Sequence, residues 1–115
     1  MDLTLSASYR TAIDTKYAAL GAGKSFLKSP TSLEYDVVGG RVRNYLGGRL
    51  YWRSGVGAHE VHGRILSMYA SLGYQTSCLG FPTTDRFATT GGRRNRFEHG
   101  RITYHVSTGR TTYRC

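Results

Sequence analysis

The stretch IDTKYAALG at residues 13–21 returns as ILSMYASLG at residues 65–73, an offset of 52 positions. Extended outward, the same offset aligns residues 13–63 with residues 65–115 without a gap. Tyr35 and Tyr45 of the first copy are replaced by Phe87 and Phe97 in the second, so that both positions stay aromatic. A fixed period of this length indicates that one supersecondary unit has been duplicated.

The repeat predicts how the chain is divided. Residues 1–12 form an N-terminal arm, residues 13–64 form the first repeat, and residues 65–115 form the second. Such units bury their apolar faces against neighbouring copies. We therefore expect either one compact pseudo-twofold domain or propeller-like blades of a larger assembly that other repeats or chains complete.

The composition limits the classes of fold and partner. Of the 115 residues, 15 are glycine, two are proline and nine are tyrosine, which argues against disorder and against a plain helical bundle. The predicted class is a turn-rich α+β domain. The formal net charge of +9 is spread over both copies and predicts attraction to anionic polymers or surfaces.

Each copy begins with a helical pattern and continues with strand patterns. Helices are predicted at residues 12–20 and from residue 63 or 64 to 72, because apolar residues share one helical face and a glycine follows. Three strands are predicted in each copy, joined by glycine turns. Their ranges are 34–38, 41–45 and 49–53 in the first copy, and 86–90, 93–97 and 101–105 in the second.

The segment at residues 79–85 reads LGFPTTD, and it resembles the motif that gives the LGFP repeat family its name. The other positions that share this resemblance are Gly91, Gly92, Phe97, Gly100, Ile102, Thr108 and Gly109, with residues 48–52 and 57–63 of the first copy. The first copy departs from the naming motif, since it has Leu27, Lys28, Ser29 and Pro30 at the equivalent positions.

The resemblance implies a function at the cell wall. LGFP repeats occur in exported proteins, chiefly of actinobacteria, where they accompany mycolyltransferases, hydrolases or peptidoglycan-directed enzymes, and they are not themselves known as catalysts. We therefore expect a non-catalytic module, extracellular or in the cell envelope, that attaches to a wall polysaccharide of the arabinogalactan or peptidoglycan type. The resemblance implies no cofactor.

Aromatic and arginine residues near the third predicted strand of each copy are the candidates for binding. Aromatic faces stack on sugar rings, and arginine forks hold hydroxyl, carboxylate or phosphate oxygens. The predicted carbohydrate-binding set is Arg49, Tyr51, Trp52, His59, Arg101 and Tyr104. Alternating members of residues 50–52 could instead fill the core, because only one face of a strand can lie in a site.

Two motifs that suggest other chemistry fail on spacing. Residues 21–25 read GAGKS, but a P-loop needs another glycine five positions before Gly23, where this chain has Ala18. His59 and His62 are three positions apart, whereas a zinc protease needs two histidines four apart on a helix. On an extended backbone these histidines face opposite sides, so no catalytic set and no metal site are predicted.

Cys78 and Cys115 are the only cysteines. They are too few for a disulfide framework and lack the close spacing of a zinc site. They form either one bridge, which would attach the C-terminal end to the body of the domain, or two thiols.

Two other functions are compatible with the sequence. Repeats with uncovered faces suit a protein-interaction or self-assembly module, including a homo-oligomer. A compact basic chain also suits a secreted antimicrobial or enzyme-inhibiting protein.

The basic run at residues 93–96 has no nucleic-acid-binding motif beside it, so no specific nucleic-acid recognition is predicted. No apolar run is long enough for a membrane span, and residues 1–12 lack a signal-peptide pattern, so an export leader would lie outside this sequence.

Overall fold

The computed structural model describes residues 11–115, so nearly all of the predicted arm at residues 1–12 lies outside the described part. The elements are α1 (Ala12–Leu20), β1 (Tyr35–Val37), β2 (Gly40–Tyr45), β3 (Gly48–Arg53), β4 (Gly57–His62), α2 (Gly63–Leu72), β5 (Phe87–Thr89), β6 (Gly92–Phe97), β7 (Gly100–His105) and β8 (Thr111–Arg114). Strands β1 to β4 form one antiparallel sheet in chain order, here sheet 1, and strands β5 to β8 form sheet 2. The chain is therefore a small α+β domain built from two repeats. None of the helices in the described residues is long and apolar enough to cross a membrane.

Both helices begin and end where the sequence predicts. The hydroxyl of Thr11 accepts a hydrogen bond from the backbone N–H of Asp14 at 3.1 Å and so caps α1. Gly21 and Gly73 end the two helices with φ angles of 112° and 108°, a left-handed conformation that favours glycine. A short 3-10 turn follows each glycine, at Ala22–Lys24 and at Tyr74–Thr76.

The prediction of three strands per copy is incomplete. The first three strands of each sheet lie within about one residue of their predicted ranges. A fourth strand, β4 or β8, lies at the edge of each sheet beside β3 or β7. Edge strands are commonly short and polar, and the runs AHEVH and TTYR have no apolar alternation that would identify them.

The gapless alignment of the two copies is wrong in the last strand. Leu50 pairs with Glu60 in sheet 1, whereas its counterpart Ile102 pairs with Tyr113 in sheet 2. The offset is therefore 53 rather than 52 in β8, because the turn between β7 and β8 is longer than the turn between β3 and β4. A slip of one residue sends each side chain of a strand to the opposite face of the sheet.

Each sheet has one face covered by the helix of its own copy, here called the helix face, and an opposite far face. On the helix face of sheet 1, Tyr45 and Leu50 pack with Ile13 of α1 and with Leu27. The equivalent cluster of the second copy contains Phe97, Ile102, Ile65, Tyr69 and Leu79. The same apolar positions therefore build the core of each copy.

The two copies are joined through the far face of sheet 1, which the second copy buries. Val42, Tyr51 and Val61 lie on this face, and they belong to the same cluster as Tyr69 and Phe81 of the second copy. Helix α2 packs against both sheets. Unlike faces meet in this contact, so the copies stack in a head-to-tail manner and are not related as a twofold pair would be.

Candidate functional site

Tyr51 is a core residue, which corrects its prediction as a binding residue. Its side chain is 1% exposed, and its ring meets the rings of Tyr69 and Phe81 edge to face at 5.6 and 6.0 Å. Burial raises the pKa of Tyr51 to about 12, against the opposing effect of the Arg49 guanidinium. A ring enclosed in this way cannot stack on a sugar.

Arg49 lies on the same far face and connects the two copies. Its Nη1 donates to the hydroxyl of Tyr51 at 3.0 Å, and its guanidinium carbon lies 3.8 Å from the ring centroid of Tyr74 in the second copy. A stacked and hydrogen-bonded guanidinium of this kind stabilises packing. We therefore assign Arg49 to the contact between the copies rather than to a ligand site.

His59 takes part in a polar cluster that ties α1, sheet 1 and the second copy together. Its Nδ1 lies 3.3 Å from Oδ1 of Asp85, and its Nε2 lies 3.1 Å from the carbonyl oxygen of Val56. Asp85 also accepts from Nζ of Lys16 on α1 and from the N–H of Glu60. With both ring nitrogens engaged, His59 has a structural role.

We expect the stability of the protein to depend on the charge of Asp85. Burial raises the pKa of this carboxyl, but the hydrogen bonds from His59, Lys16 and the N–H of Glu60 together lower it more, to about 2. Because the folded pKa lies below the unfolded value of 3.8, this stabilisation is present above about pH 4 and is lost as the pH falls towards 2. Urea unfolding across this range should show a smaller loss of stability for Asp85→Asn than for the wild type. Parallel pH curves would contradict this role.

Trp52 lines a cavity of about 190 Å³ on the helix face of sheet 1. The residues that line it are Thr11, Ala12, Ile13, Glu34, Arg41 and Trp52. Trp52 and Arg41 are partners across β3 and β2, and Glu34 forms an ion pair with Arg41 and accepts from the hydroxyl of Thr11. The polar groups of this cavity are therefore paired with one another.

Tyr104 lines a second cavity, of about 260 Å³, on the helix face of sheet 2. Six of its lining residues lie 52 positions after those of the first cavity, namely Gly63, Arg64, Ile65, Arg86, Arg93 and Tyr104, and His62 completes the lining. The fold therefore builds the same aromatic cavity once in each copy. Its repetition identifies it as a feature of the unit rather than an accident of one surface.

The two cavities differ in charge. Glu34 of the first cavity is replaced by Arg86 in the second, so that Arg64, Arg86 and Arg93 surround Tyr104. Within residues 11–115, none of these three guanidiniums lies within 4.0 Å of a carboxylate, whereas Arg41 of the first cavity pairs with Glu34. The guanidinium carbon of Arg64 lies 6.0 Å from the ring centroid of Tyr104.

Buried polar contacts hold the rim of the second cavity. Glu60 is buried, and it accepts from the backbone N–H of Arg86 at 2.8 Å and contacts His62. The amide of Asn95 donates to the carbonyl oxygen of Glu60 at 2.9 Å. The backbone beneath Arg86 is therefore fixed, while its side chain stays exposed.

The structure divides the predicted binding set. Trp52 and Tyr104 occupy equivalent cavities, Tyr51 and Arg49 lie between the copies, and His59 is held by Asp85. Arg101 lies on β7 with its side chain on the far face of sheet 2, away from Tyr104. Sequence reasoning missed Arg64, Arg86 and Arg93 as neighbours of Tyr104, although the change from Glu34 to Arg86 at equivalent positions was a visible signal.

A disulfide joins Cys78 to Cys115, with a Cα–Cα distance of 5.9 Å. With the register of β8 taken into account, Cys115 occupies the position of His62, and Cys78 occupies that of Phe26. The rings of Phe26 and His62 stack at a centroid distance of 4.1 Å. The first copy therefore has an aromatic contact where the second has a covalent one.

Comparison with known protein families agrees with this duplicated architecture. The LGFP repeat model matches residues 28–77 and residues 79–114, so that one match covers sheet 1 with α2 and the other covers sheet 2. A search of curated proteins found no match. With two tandem matches that span most of its length, the chain belongs to the LGFP repeat family.

Proposed function

We propose that this protein is a non-catalytic binding module that attaches to cell-wall polysaccharide outside the cell or in the cell envelope. One observation carries the proposal: the helix face of each sheet has the same open cavity beside an aromatic ring. A disulfide between Cys78 and Cys115 suits an oxidising, extracytoplasmic setting. Membership of the LGFP repeat family supports the cell wall as the setting, and the two equivalent cavities support the positions that we propose for the binding sites.

The chemistry of the Tyr104 cavity favours sugars over small apolar ligands. An indole or phenol ring can pack on the apolar face of a sugar, while neighbouring polar groups bind its hydroxyl oxygens. The Tyr104 cavity adds three guanidiniums that have no carboxylate partner among residues 11–115, and guanidiniums prefer carboxylate or phosphate oxygens. We infer that the Trp52 cavity takes a neutral sugar and that the Tyr104 cavity takes an acidic or phosphorylated one.

The proposal predicts that the Tyr104 cavity contributes directly to wall binding. In cosedimentation with purified actinobacterial cell walls, Tyr104→Ala is expected to weaken binding by about tenfold, as the loss of one stacked ring would. Arg86→Glu is expected to weaken it by a similar factor and to reduce its salt dependence, because the new carboxylate pairs with Arg93 as Glu34 pairs with Arg41. Each variant is first shown to be folded by its thermal melting curve.

Two control variants distinguish loss of the cavity from the general effects of removing a tyrosine or changing the net charge. Tyr113→Ala removes a tyrosine from the same sheet outside the cavity, and Arg110→Glu makes the same charge change in an exposed turn. Both controls are expected to bind walls nearly as well as the wild type. Wall binding that falls equally in the controls, or that disappears for the wild type at high salt, would reject the cavity as a shaped binding site.

A further inference from the structure

The far face of sheet 2 carries four arginines. Arg96, Arg101 and Arg114 are directly opposite one another on the adjacent strands β6, β7 and β8, and Arg94 lies two residues before Arg96. Neighbouring strands are about 4.8 Å apart, so three guanidiniums form a row across the sheet. Phe87, the partner of Arg94 on β5, lies on the same face.

The equivalent face of sheet 1 is used for packing between the copies. There Val42, Tyr51 and Val61 occupy the positions of Arg94, Thr103 and Arg114, and all three are buried against the second copy. In sheet 2 the apolar residues have been replaced by two arginines and a threonine. Burying several guanidiniums without acidic partners has a large desolvation cost, so this face does not suit the stacking of a third repeat.

The arginines of this face lack acidic partners in the described chain. Across residues 11–115, no carboxylate lies within 4.0 Å of Arg94, Arg96, Arg101 or Arg114, whereas Arg41, Arg43 and Arg53 of sheet 1 all form ion pairs. Burial and the nearby charges of Arg101 and Arg96 lower the pKa of Arg94. Like charges opposite each other destabilise a sheet, and a bound anion would remove that repulsion.

The row of arginines borders an open cavity. Arg96, Arg101 and Arg114 line a space of about 370 Å³ together with Thr83 and His99. Nη and Nε groups of arginine bind the paired oxygens of phosphate and carboxylate groups. The surface therefore offers several oxyanion positions side by side rather than one enclosed pocket.

We propose that the far face of sheet 2 binds a linear acidic glycopolymer, whose successive phosphate or carboxylate groups contact Arg94, Arg96, Arg101 and Arg114. A polymer fits the row better than a single anion, because one small anion can engage only part of it. A nucleic acid fits less well, because single strands need several aromatic rings for their bases. Phe87 is the one phenylalanine, tyrosine or tryptophan that the strands of the described chain place on this face. That the polymer belongs to the cell wall rests on the proposed function.

Isothermal titration with linear polyphosphate and with polygalacturonate tests the surface directly. The double variant Arg96→Gln, Arg101→Gln is expected to bind the preferred polymer about tenfold or more weakly than the wild type. The double variant Lys24→Gln, Lys28→Gln removes the same charge from exposed positions in the first copy and is expected to lose less than about threefold. The polymer that binds more tightly identifies the preferred oxyanion.

The outcomes distinguish this site from the cavities on the helix face. Tyr104→Ala removes the ring of the helix-face cavity and leaves the four arginines of the far face in place, so it is expected to lose less affinity for the free acidic polymer than Arg96→Gln, Arg101→Gln does. Equal weakening in the two double variants would overturn the proposal, and so would unchanged binding by Arg96→Gln, Arg101→Gln. Tighter binding of single-stranded DNA than of both polymers would also overturn it. If Tyr104→Ala keeps full wall binding while the arginine variant loses polymer binding, the cavity proposal fails and this one stands.

Discussion

Replacing Phe81 with alanine is expected to lower the free energy of unfolding by about 3–5 kcal/mol, the usual cost of removing a buried aromatic side chain. Phe81 belongs to the LGFP motif but packs on the other copy. Its side chain is 3% exposed, it meets Tyr51 edge to face, and it lies beneath the guanidinium of Arg53 at 5.4 Å. The lost stabilisation should come from the contact between the two copies.

Equilibrium urea unfolding measures this effect, and two variants control for it. Phe87→Ala removes the same ring from a less buried position on the far face of sheet 2 and is expected to cost less than about 1.5 kcal/mol. Ser29→Phe places the ring at the equivalent position of the first copy, which is exposed, and is expected to add no stability. A loss below about 1 kcal/mol for Phe81→Ala would contradict its role in joining the copies.

The same contact explains why the first copy departs from the family motif. Lys28 and Ser29 stand where the second copy has Gly80 and Phe81. Phe81 packs on the far face of sheet 1, which precedes it in the chain. Within residues 11–115, no sheet precedes α1 to provide residue 29 with an equivalent contact. Lys28 and Gly80 keep the same backbone shape, with φ angles of 61° and 76°. The turn is retained while the ring is lost.

The helices and the first three strands of each copy could be predicted because their signals are local. Helices α1 and α2 are predicted by two local patterns. Apolar residues share one helical face, and a glycine follows the last of them. The edge strands β4 and β8 could not be predicted, since they bury few apolar side chains and owe their place to pairing with β3 and β7. The shifted register of β8 depends on a turn length that sequence identity does not reveal.

The candidate site could be predicted only in part, for a physical reason visible in β3. Leu50 and Tyr51 point to opposite faces, yet both are buried, because α1 covers one face of sheet 1 and the second copy covers the other. Alternation therefore could not tell which aromatic residue was free. Trp52 and Tyr104 were identified by residue type, but the guanidiniums around Tyr104 come from three separate segments that only the fold brings together.

Removing the disulfide is expected to lower the free energy of unfolding by about 3–4 kcal/mol, since Cys78 and Cys115 are separated by 37 positions and a bridge restricts the unfolded chain over a loop of that length. The double variant Cys78→Ser, Cys115→Ser tests this in urea. A reducing agent should bring the wild type close to the variant and leave the variant itself unchanged. A wild type that is equally stable with and without reductant would contradict the prediction.

The location of the effect can be tested as well as its size. Phe26 and His62 hold the end of β4 by ring stacking, which contributes only about 0.5–1.5 kcal/mol, so Phe26→Ala should destabilise the protein less than loss of the disulfide does. Hydrogen exchange in the cysteine variant should show earlier opening of β8 than of β4. Both are edge strands, but the end of β8 is then no longer held, whereas the stack of Phe26 on His62 still holds the end of β4. Since β8 carries Arg114, the same variant should also lose affinity for acidic polymers on the far face of sheet 2. Uniform loss of protection across both sheets would instead mean that the bridge stabilises the domain as a whole and does not act mainly on β8.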